Sequence, residues 1–506
     1  MYLSAILKLS KSLSRGLKLY LVNWVVLMVA YSSLVVVPHF STDTYANYIA
    51  ANGSDILIHV QHGRFVSALL FQIFEWIHFQ YKNFSREGCL LFIAICAWGV
   101  TILTCRFYEI LKNKRIEQLV ALDTVMLLLV LNTSIMEDLL FPDVSFSYAL
   151  CFLICFASTV FWCKENKKIA DYFLSFLFLS LTLNMYQICI GFYVIVCLAY
   201  TVIYENFSSW KAVVPPAFVV LLIGLSASVI SLVCMKIPSY IWDSSHEYVG
   251  ELSIGKIASN AEKIVLSQKD IWFGFSGFLP WYAPVLFFVA AMGLFFLSMW
   301  QSKQKMAIWL LCGIGFFGSW FMSFAPYFIA EVIWMPPRTL FSLFALLALP
   351  GILTVAISEK NQIDEFITIV YGIFLLVMAV GIQRVSINNY AGNKVDQEIC
   401  NIIIHKINEY EQETGNVIDK IAVRSDGSTR YWYDGVSYTI FDTNLRCFSA
   451  SWSDVAAICF YSGRNFQKLE MTAEEYQRFF GEQSWDYFDS EEQLYFEDTI
   501  LYLAIY

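Results

Sequence analysis

The stretch ADYFLSFLFLSLTLNMYQICIGFYVIVCLAYTVIY, residues 170–204, decides the architecture of the chain. As one helix it would be about 50 Å long at about 1.5 Å per residue, too long for a hydrocarbon layer of about 30 Å. Polar residues between Asn184 and Gln187 interrupt it, so it reads as two crossings. Outward from there, further apolar runs of span length lie at 20–37, 88–105, 118–133, 146–163, 212–235, 281–300, 306–324, 338–357 and 365–383. The expected fold is therefore a polytopic α-helical membrane protein of about eleven transmembrane helices.

Basic residues test that count independently, because Lys and Arg accumulate in cytoplasmic loops. With Lys8, Lys11, Arg15 and Lys18 inside, the alternation also places CRFYEILKNKR (105–115), KENKK (164–168), Lys211, QSKQK (301–305) and SEKN (358–361) inside. Treating 170–204 as one span would put KENKK and Lys211 on opposite sides. By the same parity IMEDLLFPD (135–143), the 236–280 loop and everything after about 386 face outward. The first apolar run is long enough to serve as a permanent anchor.

Of 506 residues, 58% are hydrophobic and only 15% charged, with a mean hydropathy of +0.57. That composition excludes an ordinary soluble enzyme. From 386 onward there are 20 acidic against 9 basic residues, so this part carries −11 of the total −9 and leaves +2 on the rest. Two regions follow: a multi-span membrane domain at 1–385 and an acidic extracytoplasmic α/β domain at 386–506. The acidity makes nucleic acid an unsuitable partner. In the second region, 393–415 reads as an amphipathic helix ending at Gly415, with Ile399, Ile402, Ile403 and Ile407 on one face. DKIAVRS and VSYTIFD read as strands, with turns at Asp426-Gly427 and Asp434-Gly435. Most of the thirteen cysteines lie in apolar helices, where thiols are ordinary packing groups. Cys400, Cys447 and Cys459 lie outside and permit at most one internal disulfide.

Two outer segments look interfacial rather than spanning. In 64–80, Phe65, Leu69, Ile73 and Ile77 recur every four residues, and in 251–270 Ile254, Ile257, Ala258, Ala261, Ile264 and Val265 form a similar stripe. The spans are nearly free of charge, Asp123 being the main exception; it lies near the cytoplasmic end of its helix, as a structural acid or a proton relay. A carrier would place ionisable groups near the midplane. The remaining charges concentrate at the outer surface instead, which suggests chemistry there on a lipid-borne substrate.

A short basic start, one span, then an outer loop with Asp43, Tyr45, Tyr48, Asp55 and Gly63-Arg64 before an amphipathic helix resembles the serotype-converting glucosyltransferases of the Gtr type. PPRTLF (336–341), opening a later span, is similar too. The resemblance implies a GT-C-like integral-membrane enzyme in the bacterial inner (cytoplasmic) membrane, with a cytoplasmic N-terminus and a periplasmic or extracellular C-terminal domain. It implies inverting transfer of a hexose, glucose above all, from a polyprenyl-phosphate donor to a surface polysaccharide such as O-antigen.

Such a reaction needs a carboxylate to accept the acceptor's hydroxyl proton and cations to stabilise charge growing on the leaving phosphate. Asp43 is the expected base, although STDTY also suits a helix cap. Asp55 is the second catalytic acid, or a turn residue after NGS. Arg64, Arg338, Lys256 and Lys263 are the candidate donor-phosphate ligands, against which stands simple anchoring at the headgroups. Tyr45, Tyr48, His62, Glu137 and Asp138 are expected to contact acceptor; the last two could also be ordinary acids of an outward loop. His59 and His62 could ligate a metal if helical, but spacing fixes no third ligand. A divalent cation such as Mg or Mn is a possible cofactor. Rival functions are a polysaccharide polymerase or ligase, a lipid-linked sugar transporter sensitive at Asp123, and a non-enzymatic membrane scaffold.

Overall fold

A computed structural model describes residues 14–49, 56, 59–60, 62–207, 209–242, 253–273, 278–302, 306–425, 446–481, 483, 485 and 487–505. The chain divides into two compact units. The first comprises Met1–Ser32, Ile56–Leu139 and Val144–Gln383, and the second Ser33–Asp55, Leu140–Asp143 and Arg384–Tyr506.

In chain order the helices are α1 (Arg15–Ala30), α2 (Ser32–Val36), α3 (Thr42–Ile49), α4 (Phe65–Trp76), α5 (Ser85–Ile110), α6 (Ile116–Leu127) and α7 (Thr133–Leu139). There follow α8 (Ser145–Trp162), α9 (Ile169–Leu183), α10 (Cys189–Tyr204), α11 (Trp210–Trp242), α12 (Ile254–Leu266), α13 (Gln268–Trp272), α14 (Ala283–Gln301), α15 (Met306–Ser323), α16 (Phe341–Ile357) and α17 (Asn361–Thr414). The remaining elements are β1 (Lys420–Ser425), α18 (Asp454–Ser462), β2 (Gln467–Glu470), α19 (Ala473–Phe479), β3 (Leu494–Glu497) and β4 (Ile500–Ile505).

Among the described residues six helices are long and apolar enough to cross a membrane: Tyr81–Ile110, Pro142–Trp162, Trp210–Met235, Ala283–Gln301, Pro337–Ile357 and the long Asn361–Thr414. The other expected spans correspond to shorter helices. At about 1.5 Å per residue, α6 with its 12 residues and α9 with its 15 fall short of a full hydrocarbon layer. Burial sorts the spans: 94% of the apolar window of Pro337–Ile357 is buried, against 28% for Trp210–Met235. α16 is thus central in the first unit, and α11 turns Phe218, Leu225 and Val233 outward.

The expected break in 170–204 lies between α9 and α10. The backbone groups it frees must find partners away from water, and Ser342 supplies them: its hydroxyl donates to the Ile188 carbonyl at 2.8 Å and accepts from the Phe192 N–H at 2.9 Å. A Cβ on Gly191 would stand 2.5 Å from the Met322 carbonyl oxygen, so only glycine lets these segments meet so closely.

The run 118–133 is not one continuous helix. α6 stops at Leu127 and α7 restarts at Thr133. Tyr31 bridges the break, its hydroxyl lying 2.7 Å from the Val130 carbonyl and accepting from the Asn132 N–H at 3.0 Å. Asn132 then caps α7, its Oδ1 accepting from the Ser134 and Ile135 amides. Asp123 on α6 is a satisfied structural acid, with hydrogen bonds from Asn23 Nδ2 at 3.1 Å and Thr104 Oγ1 at 3.0 Å.

The two segments expected at the interface are helical as α4 and α12. α4 buries Ser67, Ala68 and Phe71 and presents Leu69, Ile73 and Trp76 outward. α12 buries Asn260 and Ile264, and Asn260 Nδ2 lies within 3.2 Å of the carbonyls of Tyr327, Phe328 and Ala330.

In the second unit the sheet order is β2-β1-β4-β3, with β1 parallel to both neighbours and β3 antiparallel to β4. Period-two alternation sends side chains to opposite faces. Ile421, Val423, Leu501 and Leu503 join a core with Ile399, Ile403 and Ile407 of α17 and Val455 and Ile458 of α18. Ala422, Tyr502 and Ala504 form a smaller core with Met471 and Phe480 on the other face, where Tyr476 and Phe479 of α19 pack. The helix read as starting at 393 is the continuation of α17, which begins at Asn361. It ends before Gly415, whose φ of +77° suits glycine. Ile402 is not on the buried face; it is exposed. VSYTIFD and both Asp-Gly turns lie outside the described residues. Cys400, Cys447 and Cys459 are free and buried.

Candidate functional site

Three chain segments of the first unit bring charged groups together. The break at 128–132 delivers α7, and with it Glu137 and Asp138, into the interior, where both are fully buried. They are not solvated loop acids. Pro336 and Pro337 open a single 3-10 turn, Pro337–Leu340, whose Arg338 donates to Glu137 through both its backbone N–H and its Nη1, the latter at 3.0 Å. The Arg338 guanidinium also lies 4.7 Å from the Trp334 ring centre, and Ser134 Oγ ties the Pro337 carbonyl to α7 at 2.6 Å. The third segment is the turn between α9 and α10. Its Tyr186 hydroxyl lies 3.0 Å from the Arg338 carbonyl oxygen and 3.5 Å from Asp138 Oδ1.

Arg64 joins this group from the start of α4. Its guanidinium carbon is 5.7 Å from the Tyr186 ring centre, and its backbone N–H donates to the His59 carbonyl at 2.8 Å. The preceding Gly63 has φ +67°, and a Cβ there would sit 2.9 Å from Met235 Cα, so the approach of this turn requires glycine. Arg64 Nε and Asp138 Oδ2 are buried without a hydrogen-bond partner among the described residues. Gln187 Nε2, in the turn that carries Tyr186, is likewise buried and unpartnered. Buried polar atoms are normally satisfied, and these three lie close together along the segments that carry Arg64, Asp138 and Tyr186. Burial and the Arg64 charge push the His59 imidazole down to about 3, which keeps it neutral at physiological pH; its ring stacks on Phe71 at 4.8 Å. His62 is half-buried beside it in sequence.

The Glu137–Arg338 pair predicts a specific outcome. Removing one partner of a buried ion pair strands the other charge and costs about 3–5 kcal/mol. Arg338→Met is therefore expected to lower thermal stability in detergent sharply, and Arg338→Met combined with Glu137→Gln to recover much of the loss. Equal stability of the single variant and the parent would refute the buried pairing.

Of the two lysines expected near donor phosphate, Lys256 pairs with Glu331 at 2.9 Å, and Lys263 is exposed in the last turn of α12.

In the second unit Asp43 occupies the first turn of α3 and is exposed. Its Oδ1 accepts from the Trp452 indole N–H at 2.9 Å. Thr44 Oγ1 and Asn47 Nδ2 donate to the two oxygens of Asp143 at 2.9 and 2.7 Å, so Asp143 holds α3 in place. Tyr45 is buried rather than open to a ligand: it stacks on Phe40 at 5.4 Å, and its hydroxyl lies 3.0 Å from that of Tyr461. Tyr48 is in α3. Asp55 lies outside the described residues, as does the side chain of Tyr48. Among the described residues no cluster of His, Cys, Asp and Glu is arranged to hold a metal ion. Glu137 already pairs with Arg338.

The first unit thus gathers two half-buried arginines, two fully buried carboxylates and a buried tyrosine. The family model for glucosyl transferase GtrII matches residues 32–355. The chain belongs to this glucosyltransferase family. No curated protein and no solved structure gives a match.

Proposed function

We propose that this glucosyltransferase takes glucose from a polyprenyl-phosphate donor and places it on a surface polysaccharide such as O-antigen, with inversion. The proposed setting is the outer face of a bacterial inner membrane, with the acidic C-terminal domain, 386–506, on the same side. The observation that carries the donor class is the half-buried Arg64 beside Tyr186, whose Nε is buried without a hydrogen-bond partner among the described residues. A planar guanidinium with a spare donor suits a phosphate oxygen. Arg338, neutralised by Glu137, contributes positioning more than net charge, and Lys263 supplies a further exposed cation.

The chemistry is a single displacement. The acceptor hydroxyl oxygen attacks the anomeric carbon, the bond from that carbon to the phosphate oxygen breaks, and polyprenyl phosphate leaves with the electron pair. Asp43 takes the hydroxyl proton; Asp55 is the second acid of the same loop. His62, Glu137 and Asp138 remain proposed acceptor contacts. A second assignment has one observation in its favour: Asp138 Oδ2 is buried without a partner, which would suit a base within the first unit.

The test is a panel of polyprenyl-phosphate hexoses offered to the purified protein in liposomes with polysaccharide from the host surface. Release of polyprenyl phosphate from the glucose donor, dependent on polysaccharide, is expected. Cleavage of no donor would overturn the proposed donor class.

A further inference from the structure

The acid that opens α3 is partnered by a residue 409 positions later in the chain. Trp452 is 55% exposed, although a tryptophan gains most by burying its large apolar surface, and this unit has two cores in which to bury one. It sits in a tightly tied turn. Lys468 Nζ donates to the Ser451 carbonyl and to both oxygens of Asp454, and Ser453 Oγ donates to the Cys447 carbonyl. The indole N–H bond to Asp43 then fixes the ring edge. The result is a held aromatic surface, open to solvent, with an exposed carboxylate one hydrogen bond away.

We infer that Trp452 and Asp43 form a subsite for one neutral pyranose unit of the acceptor polysaccharide. A pyranose has an apolar face of C–H groups and a rim of hydroxyls. The indole offers a surface to the first, and the carboxylate at the ring edge, 2.9 Å from the indole nitrogen, accepts from the second. A membrane headgroup is the other common neighbour of an exposed tryptophan, but the region from 386 carries −11, which repels anionic lipid. Trp452 also lies beyond residues 32–355, the part shared with the family model. Recognition of the acceptor is thereby assigned in part to the C-terminal region, with Trp452 as a positioning residue. This inference rests on the transferase function proposed above.

Trp452→Ala and Trp452→Phe separate this role from a structural one. At saturating donor, Trp452→Ala is expected to raise the acceptor KM about tenfold or more, with the donor KM unchanged, and Trp452→Phe to stay within about threefold of the parent. Retention of radiolabelled host polysaccharide by the protein in liposomes without donor should fall in the same order. An unchanged acceptor KM in Trp452→Ala would overturn the inference. So would a Trp452→Phe variant as defective as Trp452→Ala, which would make the ring structural. Wild type that retains polysaccharide through Trp452 but transfers no glucose would overturn the transferase proposal and leave the saccharide subsite standing.

Discussion

In Asp43→Asn, glucosyl transfer is expected to fall by about 10²–10⁴-fold, the range a positioned general base supplies, while folding is retained. The substitution is close to isosteric, and the asparagine amide oxygen still accepts the Trp452 indole N–H, so the bond seen at 2.9 Å survives. What is lost is the capacity to take a proton. The acceptor KM should change far less than kcat, because the proton moves only as the transition state is reached. Steady-state kinetics on variant and parent with matched melting temperatures check this. A variant within threefold of the parent would remove Asp43 from the chemistry and favour Asp138.

Arg64→Met is expected to weaken use of the donor by about 10–100-fold in kcat/KM, corresponding to a charge-assisted hydrogen bond of about 1.5–3 kcal/mol. Methionine keeps a long flexible stem against Tyr186 and removes the charge. Here the contrast with Arg338 is informative. Arg338 is matched to buried Glu137, so its loss strands a charge, whereas Arg64 Nε has no hydrogen-bond partner among the described residues. The account therefore predicts that Arg64→Met impairs the donor step and spares stability, and that Arg338→Met impairs both. Donor titration and thermal unfolding of the two variants side by side decide it; a donor KM unchanged in Arg64→Met would remove the phosphate role.

Much of this was legible in the sequence for identifiable reasons. The division of 170–204 could be read because Asn184 and Gln187 interrupt an apolar run and because KENKK and Lys211 must share a side. The helix end at Gly415 and the strand DKIAVRS carried ordinary local signals. The break after Leu127 did not, since Leu128–Leu131 is as apolar as the helix before it. Its backbone is satisfied by Tyr31, about a hundred residues earlier, and no local pattern announces such a partner. One signal was available: Asn132, Thr133 and Ser134 before IMED form a helix-start sequence, which would have placed Glu137 and Asp138 on a helix instead of in a solvated loop.

The site residues divide the same way. Gly63-Arg64 and PPRTLF were visible as candidates, because glycine and proline punctuate the chain where a charged side chain is delivered. Their partners were not visible. That Arg338 is held by Glu137 and Asp43 by Trp452 depends on contacts spanning 201 and 409 positions. Tyr45 shows the opposite limit: its place in the outer loop suggested a ligand contact, yet three aromatic neighbours, Phe40, Phe460 and Tyr461, enclose it.

The most direct test of the central claim is a stoichiometry. With polyprenyl-phosphate glucose carrying label in both the sugar and the lipid, and host polysaccharide as acceptor, one polyprenyl phosphate should be released for every glucose that arrives on polysaccharide, at matched rates. Glucose reaching polysaccharide without release of polyprenyl phosphate, or donor crossing the bilayer intact with no bond cleaved, would contradict the account.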